Sequence, residues 1–196
     1  MILSPGASPV VPPIPGIERA LTLRTVEDVL RIFDAVETLP KNAVVIGGGF
    51  IGVEMMENLV HKGINTALVE ALPQVLAPLD PEMAEFVHKE IRAHGVELHL
   101  NNSVKEITDS EVILADGSKI AAELVIASIG VKPDISLAKA AGVTIGSRGG
   151  IAVNNFNQTS NPDIYAIGDA AEKNDEDRKS TRRTPVTSLS RMPSSA

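Results

Sequence analysis

No cysteine occurs in the 196 residues, which excludes disulfides, thiolate metal sites and a cysteine nucleophile supplied by this chain. Tryptophan is absent too, and with one Tyr and four Phe the aromatics reach only 3%. Basic charge is in deficit: 18 Lys and Arg stand against 25 Asp and Glu, a net charge of -7. An acidic chain with so few rings lacks the surface a nucleic-acid binder needs, so no nucleic-acid partner is expected. No apolar run approaches the ~20 residues of a membrane span, and Met1-Ile2-Leu3-Ser4-Pro5 lacks a basic signal-peptide start. The expectation is a soluble, cytoplasmic protein with no membrane partner. His61, His88, His94 and His99 show no HxxH or HxxxH pairing, so they read as surface or packing residues and no metal site is expected.

What is present is an ordered succession of local patterns. Five prolines fall in the first 15 residues, where they forbid helix and central strand and leave an extended connector. Thr25, with Asp28 three residues on, predicts a helix start, and Val26, Val29, Leu30, Phe33 and Val36 recur at helical spacing until Pro40. Ala43 to Ile46 then reads as a buried parallel strand running into Gly47-Gly48-Gly49. A helix over residues 50–62 stops at Gly63, a second strand covers 66–69, and a helix opened by Pro81 carries Met83, Phe86, Val87, Glu90, Ile91 and His94 to Gly95. Residues 96–100 form a third strand, and this alternation requires a parallel sheet with right-handed crossovers.

Past residue 104 the spacing turns antiparallel. Short strands at 104–108, 112–114 and 119–122, with an Asp116-Gly117 turn, predict a hairpin or meander. Residues 124–129 return as a buried strand into Gly130, a short helix covers 136–141, and 164–167 lead into Gly168-Asp169. Residues 173–196 hold six Lys and Arg against three Asp and Glu, with Ser, Thr and Arg prominent, and are expected to be a disordered tail.

Gly47-Gly48-Gly49-Phe50-Ile51-Gly52 is a GxGxxG sequence, which alone is weak evidence. Here it follows a strand and opens a helix, and Glu70 ends the next strand 18 positions after Gly52, as a dinucleotide-binding unit requires. Gly47 permits the turn, Gly49 lets backbone approach a pyrophosphate, and Gly52 lets helix pack on strand, while the helix N-terminus holds the phosphates. Glu70 is expected to accept hydrogen bonds from an adenosine ribose. With no Lys or Arg in residues 69–81, NADH is favoured over NADPH. Glu54 is either a nicotinamide-side contact or a helix-start acid, and Gly130 ends a strand where open α/β sheets place ligands.

With both the nucleotide motif and the Gly168-Asp169 element, the sequence resembles the FAD-dependent pyridine nucleotide-disulfide oxidoreductases, most of all the branch of coenzyme A-disulfide reductases, NADH oxidases and persulfide reductases. The resemblance runs from about Leu3 to Glu172 through residues 3–9, Pro13-Ile14-Pro15-Gly16, residues 47–54, Ile129-Gly130-Val131-Lys132-Pro133 and residues 159–169. It implies an α/β fold: a Rossmann-like parallel-sheet NADH-binding domain over 40–150 with an antiparallel hairpin or meander, flanked by FAD-domain fragments at 1–39 and 151–172. It also implies that Ile51, Gly52, Glu70 and Gly130 contact NADH, that Asp169 holds the flavin ribityl chain, and that Gly6, Ala7, Arg24 and Gly168 lie near FAD.

The implied activity passes hydride from NADH to flavin and on to a disulfide, persulfide, peroxide or oxygen. The family's first GxGxxG, its redox cysteine and its dimerisation domain have no counterpart in these residues. The expectation is therefore a fragment of a homodimeric enzyme, with the FAD and thiol parts as partners and no catalytic residue of its own. A non-catalytic NAD-binding module remains open as an alternative. A self-contained dehydrogenase ranks last, because no His, Lys or Tyr follows Gly130 in a pattern suited to a general base.

Overall fold

The structure, a computed structural model, describes residues 1–173. Strands β1 (Ile2–Leu3), β2 (Ala7–Pro9) and β3 (Leu21–Thr22) lead to α1 (Val26–Glu37). Then come β4 (Asn42–Ile46), α2 (Phe50–His61), β5 (Asn65–Val69), α3 (Pro81–Ala93) and β6 (Glu97–His99). Strands β7 (Val104–Ile107), β8 (Glu111–Leu114), β9 (Lys119–Ala121), β10 (Leu124–Ala127) and β11 (Val131–Pro133) precede α4 (Ser136–Ala140). The described chain ends with β12 (Ile151–Val153), β13 (Tyr165–Ala166) and β14 (Ala171–Lys173).

Two compact units divide the chain. One is residues 8–132, the other Met1–Ala7 with the segment from Pro133 onward. Strand β3 and helix α1, which lie in the 8–132 unit, belong to the same sheet and core as β4.

In the 8–132 unit a five-stranded parallel sheet has the order β3-β10-β4-β5-β6. Strand β4 shows why its continuous apolar run works. Ala43 and Val45 pack with Ile32 and Val36 of α1, Met56 and Leu59 of α2, and Ile91 of α3. Val44 and Ile46 face the other way, onto Val104, Val112, Leu114 and Ile120 of the antiparallel sheet β7-β8-β9. Both faces of the strand are covered, so alternation is not required. Each fully buried Val, Leu or Ile side chain contributes about 1.5–3 kcal/mol. Val44, Val45, Leu68 and Ile126 therefore anchor the sheet whose strand ends carry the site.

The helix starts follow the sequence. Thr25 Oγ1 accepts from Asp28 N–H, and the Asp28 carboxylate accepts from Thr25 N–H, a closed capping box. Two apolar assignments need correction. Val26, Val29, Leu30 and Phe33 are exposed, whereas Val36 of the same series is buried, together with Ile32. Packing against the sheet selects that pair. Met83 and Phe86 of α3 are likewise exposed, whereas Ala84, His88 and Ile91 are buried.

The opening prolines leave an extended chain, yet it is not strand-free: β1 pairs in parallel with β13, and β2 pairs with β11. In the second unit β12 and β14 are also parallel, around a core of Leu3, Ile151, Ile164 and Ala166. Lys173 lies in β14, so the expected tail does not begin there. The rest of that expected tail, residues 174–196, lies outside the described residues.

Glu172 of β14 is 4% exposed, and its carboxylate accepts from the N–H of Arg148 at 3.0 Å and of Gly150 at 2.9 Å. Burial pushes this carboxyl up, but those N–H groups and the Arg148 guanidinium outweigh it and hold the carboxyl below the usual glutamate value. A depressed folded-state value stabilises the fold above the unfolded value of about 4.3 and loses that contribution as pH falls through the folded one. Glu172→Gln is expected to lower the melting temperature at pH 7 and to flatten its fall below about pH 4.5, as read by melting curves against pH.

Among the described residues no helix is long and apolar enough to cross a membrane, and no cluster of three or more His, Asp or Glu is placed to hold a metal.

Candidate functional site

Strands β4, β5, β6 and β10 all end on one edge of the parallel sheet, where open α/β sheets bind ligands. A cavity of about 430 Å³ lies there, wholly within the 8–132 unit. Its walls include the Gly47-Gly48-Gly49 turn after β4, residues 70–72, Gln74 and Ala77 after β5, Asn102 and Ser103 after β6, and Ser128 to Gly130 after β10.

Two positions around the turn after β4 require glycine. Gly47 has φ +105°, and a Cβ there would lie 2.5 Å from the Ser128 carbonyl oxygen. Gly52, one turn into α2, is still tighter: its Cβ would lie 1.9 Å from the Gly47 carbonyl oxygen. Gly49 differs, because among the described residues no atom lies within 4 Å of its Cβ position. It is also the N-cap of α2 and offers no side chain to the first-turn N–H groups. Those donors have no acceptor within the helix, and the open space beside them suits an anion.

Glu70 is placed by two hydrogen bonds. Its Oε2 accepts from Gly48 N–H at 2.6 Å and its Oε1 from Leu72 N–H at 2.8 Å. The acid therefore ties the glycine turn to the β5 loop, a role the motif spacing did not reveal. Each carboxylate oxygen keeps a second lone pair for a ligand hydroxyl. No Lys or Arg lines the cavity among the described residues.

The cavity thus unites Gly47, Gly48, Gly49, Glu70 and Gly130. Gly52 is buried beneath the turn, while Phe50 and Ile51, at 63% and 41% exposure, and Glu54 on the next turn of α2 do not line it. Arg24 donates from Nη1 to Ser8 Oγ at 2.8 Å and belongs to the 8–132 unit. Gly6, Ala7, Gly168 and Asp169 belong to the other unit, where Asp169 is exposed on a 3₁₀ turn after β13 and its carboxylate takes no hydrogen bond from the described residues. Residue-level motifs did not point to Gln74, Asn102, Ser103 or Ser128. The rule that ligands gather at the carboxyl ends of parallel strands could have found Ser128 and Ser103.

The family described as Pyridine nucleotide-disulphide oxidoreductase matches residues 1–188. An NADH oxidase from Methanocaldococcus jannaschii is 40% identical over 179 residues, which cover 88% of this chain and 40% of the relative. The crystal structure of reduced Bacillus anthracis CoADR-RHD is similar at a TM-score of 0.83 and 51% identity, over 87% of this chain and 32% of that one. A NAD-dependent persulfide reductase from A. fulgidus gives a TM-score of 0.83 at 34% identity, over 87% and 33% of the two chains. The chain spans well under half the length of each of these relatives. A match over nearly the whole chain, together with the glycine turn, the parallel sheet and the acid-tied cavity, places this chain in the pyridine nucleotide-disulphide oxidoreductase family.

Proposed function

We propose that the cavity binds NADH and that the chain is the NADH-binding portion of an FAD-dependent oxidoreductase, which passes hydride from NADH to flavin and on to a disulfide, persulfide or oxygen. The observation that carries this reading is the Glu70 carboxylate, bonded to Gly48 N–H beside a cavity that no Lys or Arg among the described residues lines. The Gly49 space and the first-turn N–H groups of α2 hold the pyrophosphate. The remaining lone pairs of Glu70 accept from the adenosine ribose, and a 2′-phosphate, with about -1.5 to -2 charges at neutral pH, is repelled. Phe50, Ile51 and Glu54 then serve the nicotinamide side from outside the cavity wall.

The residues of the other unit fit one end of a flavin. Asp169 presents an exposed carboxylate on a turn begun by Gly168, and Gly6 and Ala7 lie in the same unit. Asp169 would accept from ribityl hydroxyls, with Gly6, Ala7 and Gly168 giving backbone room. When bound, FAD supplies the acceptor for the hydride. The chain's own part is to orient NADH and exclude water from its phosphates.

In this reading residues 40–150 form the NADH domain, to whose sheet and core β3 and α1 add, and the rest of 1–39 with 151–172 contributes to an FAD domain. The whole protein is a cytoplasmic homodimer that supplies the thiol and interface parts. No observation favours a module without turnover. Nicotinamide fluorescence tests the reading: a saturable enhancement of NADH emission, competed away by ADP-ribose, is expected. A chain folded by circular dichroism that leaves NADH emission unchanged overturns it.

A further inference from the structure

The loop after β5 forms one wall of the cavity, and it is held in an uncomfortable shape. Leu76 has φ +49°, in the left-handed region that a leucine adopts only when its surroundings impose it. Its N–H donates to the Gly48 carbonyl at 2.8 Å, and Val75, with no exposed surface, sits beneath Gly48, where a Cβ would meet Val75 Cγ1 at 2.9 Å. Val75 and Leu76 are thus the support on which the glycine turn rests.

What holds Val75 is a histidine from α3. His88 is 1% exposed, and its Nε2 lies 3.2 Å from Val75 N, while its Nδ1 lies 3.1 Å from Glu85 Oε1. A backbone N–H can only donate, so Nε2 is the bare nitrogen and Nδ1–H donates to Glu85. Most buried histidines only fill space, but this one accepts the single N–H that fixes the residue before the strained leucine.

We infer that His88 is a positioning residue for nucleotide binding: its Nε2 accepts the Val75 N–H and thereby holds residues 74–77 against the glycine turn and Glu70. It touches no ligand and acts through the loop. The inference rests on the NADH reading of the cavity and adds a residue that no binding motif includes. Because the loop stands beside Glu70, its effect falls on the adenosine half of the dinucleotide.

Three variants of the 196-residue chain test it, titrated with NADH and with ADP-ribose at a temperature where circular dichroism shows each folded. His88→Leu keeps the volume and deletes the acceptor, so both dissociation constants should rise about tenfold. His88→Gln places a carbonyl oxygen near the former Nε2 and should stay within about threefold of wild type. His88→Asn, whose carbonyl falls short, should follow the leucine variant and replaces it should that one fail to fold. A loss caused only by lowered stability would not separate Gln from Leu and Asn in folded protein. Leu and Asn variants within about twofold of wild type, or a folded Gln variant that loses as much as they do, overturn the inference.

Amide exchange is read on the same samples without nucleotide. Val75 and Leu76 should exchange at least about tenfold faster in His88→Leu than in His88→Gln. Equal exchange overturns the tie itself. Absence of NADH binding by wild type contradicts the NADH reading, and the exchange result then decides the tie.

Discussion

Gly52→Ala is expected to remove NADH binding almost completely, by about a hundredfold or more, and to lower the melting temperature by roughly 5–10 °C. The added Cβ would stand 1.9 Å from the Gly47 carbonyl oxygen and 2.7 Å from Ser128 Oγ. The serine can rotate away, at the cost of its bonds to the Ile46 and Gly47 carbonyls at 3.0 and 3.2 Å. The Gly47 carbonyl cannot move, because φ +105° at that residue and its N–H bond to Val69 O at 2.8 Å fix the turn. The helix must therefore lift from the strand, carrying its N-terminal donors out of place. Gly49→Ala is the matched control, since nothing among the described residues lies within 4 Å of its Cβ. It should keep the melting temperature and lose binding, because the methyl group enters space reserved for phosphate. Melting curves and NADH titrations of both variants check the pair. Equal loss of stability in the two would contradict the assignment of Gly52 to packing and Gly49 to the ligand.

Glu70→Ala is expected to weaken NADH binding by about thirtyfold or more and to erase the preference for NADH over NADPH. Two losses combine. The ribose loses its acceptor, and the N–H groups of Gly48 and Leu72 lose theirs, at 2.6 and 2.8 Å. Hydrogen bonds to a charged group contribute about 1.5–3 kcal/mol each, so the glycine turn loosens as well. Glu70→Gln retains a carbonyl for one N–H but turns an NH₂ toward the other, and should fall between wild type and alanine. Affinity for NADPH should change least, because removing the carboxylate also removes the repulsion of a 2′-phosphate. A Gln variant equal to wild type would mean that the second N–H contact carries no weight.

Where the chain presents one unambiguous pattern, the sequence predicts the structure well. Ala43 to Ile46 is apolar at every position, Gly47 must turn, and Thr25 with Asp28 closes a capping box, so local chemistry decides these elements. On α1 local chemistry does not decide. The series Val26, Val29, Leu30, Phe33 and Val36 has helical spacing, yet the sheet beneath the helix buries Val36 with Ile32 and leaves the other four exposed. Strands β1, β2, β12 and β14 are two or three residues long and pair with partners distant in sequence, so no local periodicity marks them. The site shows the same division. The glycines and Glu70 stand at motif spacing, whereas Asn102, Ser103 and Ser128 meet them only because β6 and β10 end on the same edge. The His88 contact with Val75 spans 13 residues between a helix and a loop, and nothing in the spacing announces it.

Paired titration of the folded chain with NADH and NADPH, followed by nicotinamide fluorescence, decides whether the glycine turn and Glu70 form a site for NADH. Saturable NADH binding, at least about tenfold tighter than NADPH, is the predicted result. Equal affinity, a preference for NADPH, or no binding of either nucleotide by folded protein would contradict it.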